Sequence, residues 1–110
     1  VNTGAIAWRS VLGVTDGLAN PNTGRPNVGG PIVTGGGLIF IGATDDRRLR
    51  AFDLKTGKEL WTFKLPASIY GTPLTYRGKH GKQYVAAVTT GGFWGDEPAG
   101  ADEVTAFALP

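Results

Sequence analysis

The apolar residues of this chain lie in short segments separated by glycine, proline and other turn residues. Residues 38–41 are all apolar, whereas apolar and polar residues alternate over 49–54 and again over 61–65. Strict alternation is the period of a half-buried strand, and a short continuous apolar run is typical of a strand buried on both faces. The pattern therefore predicts an all-β chain of short strands. We expect these strands near 5–12, 30–34, 38–43, 48–54, 59–65, 71–76, 83–89 and 103–109.

An internal repeat organises these strands. The segment 51–61 reads AFDLKTGKELW; the sequence TGAIAW at 3–8 resembles its second half, and TAFAL at 105–109 resembles its first half. The copies are roughly 50 residues apart, and self-similarity at such a period signals a repeat architecture in which no unit buries its apolar face alone. The chain therefore begins inside one copy and stops inside another, as expected of a piece of a longer repeat array.

Aligning the copies predicts four-stranded antiparallel units of the kind that form the blades of a β-propeller. On this prediction, residues 1–12 are the last strand of one blade. Residues 28–66 form a complete blade, and residues 67–110 supply three strands of a closing blade. The whole of 1–110 then belongs to one propeller domain, with long connections at 13–28 and 91–101.

Composition excludes several classes of protein. The 18 glycines and 7 prolines argue against long helices. No apolar run approaches the roughly 18 residues of a membrane helix. The absence of cysteine excludes a disulfide framework and thiolate metal sites. The net charge of +2 is small and the basic residues form no stripe, so we expect no nucleic-acid partner.

The spacing Ala51-x-Asp53-x-x-Thr56-Gly57-x-x-x-Trp61 resembles the tryptophan docking motif of the quinoprotein dehydrogenases. These are eight-bladed propellers that hold pyrroloquinoline quinone (PQQ) and a calcium ion on the propeller axis. The resemblance implies that the chain supplies about two of the eight blades. In the repeat itself, all these residues except Ala51 are expected to have structural roles, since they recur in the copies.

Further segments are similar to the membrane-bound glucose dehydrogenase branch of that family. They are 24–45 with 50–53, which resemble its final complete blade, and 71–76, 81–85 and 104–110, which resemble its closing blade. One departure concerns the loop that faces the cofactor. Where that branch commonly has Gly-Gly-His, this chain has Gly-Gly followed by Phe93 and Trp94. The departure argues against glucose and leaves polyol and quinate oxidation open.

The resemblance implies a function for the whole protein. It would be a PQQ-dependent dehydrogenase that oxidises a sugar, polyol or alcohol hydroxyl and passes electrons to a quinone acceptor. It would be periplasmic, and an N-terminal segment absent here would anchor it to the inner membrane. The family's catalytic aspartate and calcium ligands match no residue of this chain, so no catalytic or metal-binding residue is assigned and the chain alone is expected to be inactive.

The candidate cofactor-binding residues are Asn27, Phe93 and Trp94. Asn27 precedes two glycines and is equally compatible with a turn. Phe93 and Trp94 stand in a glycine-rich loop, where aromatic rings wall a cofactor pocket or simply pack against a neighbouring loop. Asp45 is expected to pair with Arg47, Arg48 or solvent. His80 lies in a basic turn without Asp, Glu or Cys neighbours and is expected to be solvated.

A non-enzymatic alternative stays open on the sequence. Very similar repeats form the protein-binding propellers of outer-membrane assembly lipoproteins, and PQQ binding by the full-length protein would separate the two functions. Either propeller needs its remaining blades. An isolated pair of blades has open strand edges, which favour pairing. The expected partners of this chain are therefore the other blades or further copies of itself, as a homo-oligomer.

Overall fold

The computed structural model describes residues 2–92 and 102–109 of the chain. Within these residues, seven strands form two antiparallel sheets, and no α-helix occurs. The strands are β1 (Ile32–Val33), β2 (Leu38–Ile41), β3 (Arg48–Asp53), β4 (Glu59–Lys64), β5 (Leu74–Arg77), β6 (Gln83–Thr89) and β7 (Glu103–Ala108). The prediction of an all-β chain is confirmed. No helix in the described part of the chain is long and apolar enough to cross a membrane.

Each sheet is a meander in which consecutive strands are neighbours. The first sheet has the order β1-β2-β3-β4 and the second has the order β5-β6-β7. Pairing follows the predicted alternation, with Phe40 opposite Ala51 and Ala51 opposite Trp61. The four-stranded sheet lies within 28–66, the range predicted to be a complete blade, and the division of the chain into blades stays a prediction.

The strands of both sheets run between the same two ends of the molecule. At one end, here called the loop end, lie the β2–β3 connection (42–47), the link between the sheets (65–73) and residues 90–92. Backbone hydrogen bonds join them: the Ala43 amide donates to the Ile69 carbonyl, and the Thr90 amide donates to the Ser68 carbonyl. At the other end, here called the turn end, lie the turns 34–37 and 54–58 and the hairpin 78–82.

The core lies where the two sheets face each other. Its buried members are mostly branched aliphatic and small residues, namely Phe40, Leu49, Ala51, Leu65, Ile69, Val85 and Ala87. Phe107 of β7 packs edge-on against Trp61 and Phe63 of β4, with ring centroids 5.1 and 5.0 Å apart. Burial of these faces supplies the main favourable free energy for the arrangement.

The turn between β3 and β4 is held by Asp53. Its carboxylate accepts hydrogen bonds from the Lys55 and Thr56 amides, both at 2.8 Å, and from the Thr56 hydroxyl. The Thr56 amide is the main reason that the pKa of Asp53 lies below its ordinary value. Gly57 follows at φ +71°, a conformation that favours glycine.

Trp8 docks on this turn from outside the sheet. Its indole Nε1 donates to the Leu54 carbonyl at 2.9 Å, and its ring lies so close to Gly57 that a Cβ there would overlap it. Trp61 instead meets Phe107, and its Nε1 has no hydrogen-bond acceptor among the described residues.

The prediction of a strand over 5–12 is wrong, because the structure has no strand within residues 2–12. The segment is instead held by the indole of Trp8, and a strand needs a hydrogen-bonded partner that neither sheet provides here. Its assignment as the last strand of another blade stays a prediction, since that blade's other strands are not in the chain.

Candidate functional site

Three connections meet at the loop end through a continuous series of backbone hydrogen bonds. The Val28 amide donates to the Ala43 carbonyl at 2.9 Å, and the Ala43 amide donates to the Ile69 carbonyl at 2.7 Å. The amides of Thr90 and Gly91 both donate to the Ser68 carbonyl. The end of the long 13–28 connection, the β2–β3 connection and the base of the 91–101 connection are therefore held side by side on one surface.

Asn27 lies on this surface at the edge of the first sheet. It forms an isolated antiparallel bridge with Thr44, which fixes its backbone beside the β2–β3 connection. Its residue is exposed, and its side-chain amide makes no hydrogen bond to the described residues. An amide so placed has two donors and one acceptor available for a ligand.

Gly29 is required by close packing against the link between the sheets, and Gly30 packs closely against the same link. Gly29 has φ +136°, and a Cβ there would lie 2.9 Å from the Tyr70 carbonyl oxygen. A Cβ at Gly30 would lie 3.1 Å from the Thr72 hydroxyl. The two glycines let the chain turn just after Val28. They therefore help to hold Asn27 in its place on the surface.

Phe93 and Trp94 lie outside the described residues. The structure shows the residues from which their loop leaves the sheet: Gly91, bonded to Ser68, and Gly92, with φ values of +59° and +73°. The loop that carries both aromatic residues therefore starts from the loop end, the end at which Asn27 lies.

Arg25 is a contributor to this end that the sequence did not reveal. Its guanidinium binds Asp45 with two parallel hydrogen bonds, Nε to Oδ1 at 2.7 Å and Nη2 to Oδ2 at 2.6 Å. The Asp45 side chain is only 7% exposed and that of Arg25 is 37% exposed. The expectation that Asp45 pairs with Arg47, Arg48 or solvent is therefore wrong. The long connection brings in a more distant partner, which no sequence spacing could indicate.

Asp46 is the centre of a second polar network, just behind Asp45. It forms a buried ion pair with Arg50, and it accepts hydrogen bonds from the Thr44 hydroxyl and from the Val14 amide at 2.9 Å. Burial raises the pKa of Asp46, but the hydrogen bonds from Arg50, Thr44 and Val14 together outweigh it and hold the pKa below its ordinary value.

This network fastens the start of the 13–28 connection to the β2–β3 connection, while Arg25 and Asp45 fasten its end. On the other side of Arg50, its Nε lies 3.0 Å from Glu59 Oε1. With Asp46 and Asp45 both paired, no buried side-chain polar atom in the described part of the chain lacks a partner. The loop end is therefore a preorganised surface rather than a set of independent loops.

Residues 1–85 match the protein family described as "PQQ: Glucose/ethanol/alcohol dehydrogenase, beta-propeller domain". The chain is 44% identical over 110 residues to the quinate/shikimate dehydrogenase (quinone) of Acinetobacter baylyi. That match covers 99% of this chain and 13% of the relative. It is 37% identical over 118 aligned residues to the quinoprotein glucose dehydrogenase of Escherichia coli, covering 100% of this chain and 15% of the relative.

Among solved structures, the chain is similar to a europium-containing methanol dehydrogenase. The TM-score is 0.57 and the identity is 48%, over 60% of this chain and 11% of that one. The fold and these similarities identify the chain as part of a PQQ-type β-propeller domain. The chain belongs to the family of PQQ-dependent quinoprotein dehydrogenases. It spans about one seventh of the length of the curated relatives named here.

The described residues fit PQQ in part. The unpaired amide of Asn27, beside a tightly packed glycine turn, matches the carbonyl and carboxylate oxygens of such a cofactor. Residues 2–92 and 102–109 contain no group of three or more His, Cys, Asp or Glu side chains that could hold a metal ion.

Proposed function

We propose that the full-length protein to which this chain belongs is a PQQ-dependent dehydrogenase that oxidises a hydroxyl group of a polyol, sugar or alcohol. One observation carries the proposal. In a chain of the PQQ family, Asn27 and the base of the loop with Phe93 and Trp94 lie on the same end of the blades. The findings give no support to the alternative, a non-enzymatic scaffold.

This chain contributes binding and orientation rather than bond breaking. Asn27 donates its side-chain N–H to an oxygen of the cofactor, and Phe93 and Trp94 wall the pocket and exclude water. PQQ, when bound with its calcium ion, supplies the hydride-accepting chemistry. The Arg25–Asp45 pair keeps the connection that carries Asn27 against the β2–β3 connection, so the backbone of Asn27 is in place before the cofactor arrives.

The substrate proposed is a polyol or a hydroxy acid of the quinate type. Relatives are named for quinate and shikimate, glucose, and glycerol. Phe93 and Trp94 stand where the glucose dehydrogenase branch has its histidine, and two aromatic rings offer stacking area in place of a proton-transferring side chain. The quinone acceptor proposed here agrees with the word "quinone" in the name of the Acinetobacter relative.

The remaining proposals concern the assembly. Residues 1–12, 28–66 and 67–110 are proposed as a last strand, a complete blade and three strands of a closing blade in an eight-bladed, periplasmic propeller. The other blades supply the catalytic base and the calcium ligands, so the 110-residue chain alone is expected to give no turnover with PQQ, calcium and an acceptor. In isolation it pairs with further copies of itself.

The test is an activity measurement on the full-length protein, prepared without cofactor and then given PQQ and calcium. We expect oxidation of quinate or glycerol with a quinone acceptor, which depends on both additions and exceeds the oxidation of glucose. Loss of activity on chelation, restored by calcium, would support the metal requirement. A protein that binds no PQQ and oxidises none of the three substrates would overturn the proposal.

A further inference from the structure

Unpaired positive charge is concentrated at the turn end, opposite the candidate site. Lys55 and Lys58 lie in or beside the β3–β4 turn, and Arg77, Lys79 and Lys82 lie in or beside the β5–β6 hairpin. All five residues are exposed, and none forms an ion pair within the described part of the chain. We call these five residues the basic end.

Acidic residues only partly neutralise this end. Asp53 lies in the β3–β4 turn, where its charge attracts Lys55 and its carboxylate accepts hydrogen bonds from the amides and hydroxyl of its own turn. At the loop end, by contrast, most cations of the described residues are matched by carboxylates, and Arg47 is the exception. Arg25 binds Asp45, and Arg48 and Lys64 both bind Asp16. The two ends therefore differ in unpaired charge although the net charge of the chain is small.

Exposed apolar groups stand among these cations. Leu54 in the β3–β4 turn is 40% exposed, and Tyr76 beside the hairpin is 45% exposed. Tyr76 and Tyr84 stack on each other with centroids 5.1 Å apart and planes inclined by 11°. Amphipathic rings and a leucine next to lysine and arginine are the composition of a surface that sits at a lipid–water boundary.

We propose that the basic end binds the anionic phosphate headgroups of a lipid bilayer. The charges of two neighbouring blades act together, since each Lys or Arg close to an anionic membrane contributes about 1 kcal/mol. Leu54 and the tyrosine pair enter the headgroup region. Because the loop end is at the opposite ends of the same strands, a protein seated in this way holds its candidate site away from the membrane and open to water.

Vesicle co-sedimentation of the full 110-residue chain tests the proposal. We expect binding to mixed phosphatidylglycerol–phosphatidylcholine vesicles, little binding to phosphatidylcholine alone, and weakening as salt is added. The double variant Lys79→Glu/Lys82→Glu should bind at least about 30-fold more weakly, since it removes two such cations. The control Arg47→Glu/Lys64→Glu makes the same change in net charge at the loop end and should change binding by less than about threefold.

Circular dichroism checks that each variant folds. If the hairpin variant does not fold, Lys55→Glu/Lys58→Glu in the other turn provides the same comparison. Equal binding to neutral vesicles, or equal losses in the hairpin and control variants, would overturn the proposal. So would binding to duplex DNA or an acidic protein without binding to anionic vesicles. The result is independent of the proposed enzyme activity, because a dehydrogenase that ignores vesicles would contradict this inference alone.

Discussion

Trp8 and Gly57 show why single residues of the repeat are restricted so strongly. The indole covers a backbone turn that any side chain would push away, and its Nε1 takes the Leu54 carbonyl as acceptor. Glycine is needed there twice over, for the positive φ and for the contact. The two requirements can be separated, because Gly81 has nearly the same φ, +74°, with nothing near its missing Cβ.

Replacing Gly57 with alanine is expected to destabilise the chain more than replacing Gly81. Both variants lose about 1 kcal/mol from the unfavourable φ. Only Gly57→Ala overlaps the Trp8 ring, which should cost a further 1–3 kcal/mol or so. Urea unfolding measures the free energies, and tryptophan emission should shift to the red as Trp8 leaves the turn. Equal losses in the two variants would show that Trp8 does not dock.

Asp46 is the residue on which the loop end depends most for stability. Asp46→Asn removes the charge opposite the buried Arg50 and should lower the free energy of unfolding by about 3–5 kcal/mol. The control Asp16→Asn changes an exposed, solvent-screened carboxylate and should lower the free energy of unfolding much less. If Asp46→Asn does not fold, adding Arg50→Leu should recover folding, because it removes the buried guanidinium that would otherwise keep only the half-exposed Glu59 as a partner.

The pH dependence follows from the lowered pKa of Asp46. An unfolded aspartate titrates near 3.9, and the folded pKa lies below that. The stabilisation is therefore fully present above about pH 4 and is lost as the pH falls through the folded pKa. The stability difference between wild type and Asp46→Asn should shrink below pH 4. A difference that stays constant down to the acid transition would contradict the assigned ion pair.

At the scale of elements, alternation of apolar and polar residues located most strands. β1, β2, β3, β4, β6 and β7 lie within the predicted ranges, because each pairs with a neighbouring strand of its own sheet. The segment 5–12 has a similar local pattern. A strand also needs a partner strand to pair with, and neither sheet of the structure pairs with this segment. For the same reason, Asn27 could be proposed from its glycine context, whereas the Arg25–Asp45 pair depends on how a long connection folds back.

The open edges predict how the chain behaves on its own. β7 pairs only with β6 among the described strands, and Val104 on it is 73% exposed. An apolar groove of about 430 Å³ between the sheets, lined in part by Leu60 and Trp61, is open as well. Such edges and faces associate unless they are charged or covered.

We expect concentration-dependent self-association of the 110-residue chain in light scattering. Val104→Lys places a charge on the free edge and should shift the chain towards the monomer. Val88→Lys places the same charge opposite it on the central strand β6, so it should have a smaller effect. A well-folded wild-type monomer at all concentrations would contradict the expectation.

At the scale of the whole molecule, the two ends of the blades differ in structure and in unpaired charge. The loop end gathers the connections, the buried ion pairs and Asn27, and the turn end carries tight turns and unpaired cations. In the proposed propeller the ligand site lies at the loop end, because the connection 13–28 ends there and the loop that follows Gly92 starts there. The sequence placed the candidate residues in loops; the backbone hydrogen bonds of the structure put those loops on one surface.

The dissociation constant of PQQ from the full-length protein tests the central claim most directly. Asn27→Ala is compared with Asn20→Ala, which removes another exposed amide from the same connection. Loss of a hydrogen bond to a charged cofactor corresponds to about 1.5–3 kcal/mol, so Asn27→Ala should bind PQQ about ten- to hundredfold more weakly. Asn20→Ala should bind like the wild type. Unchanged affinity in Asn27→Ala, or equal losses in both variants, would contradict a cofactor site at the loop end.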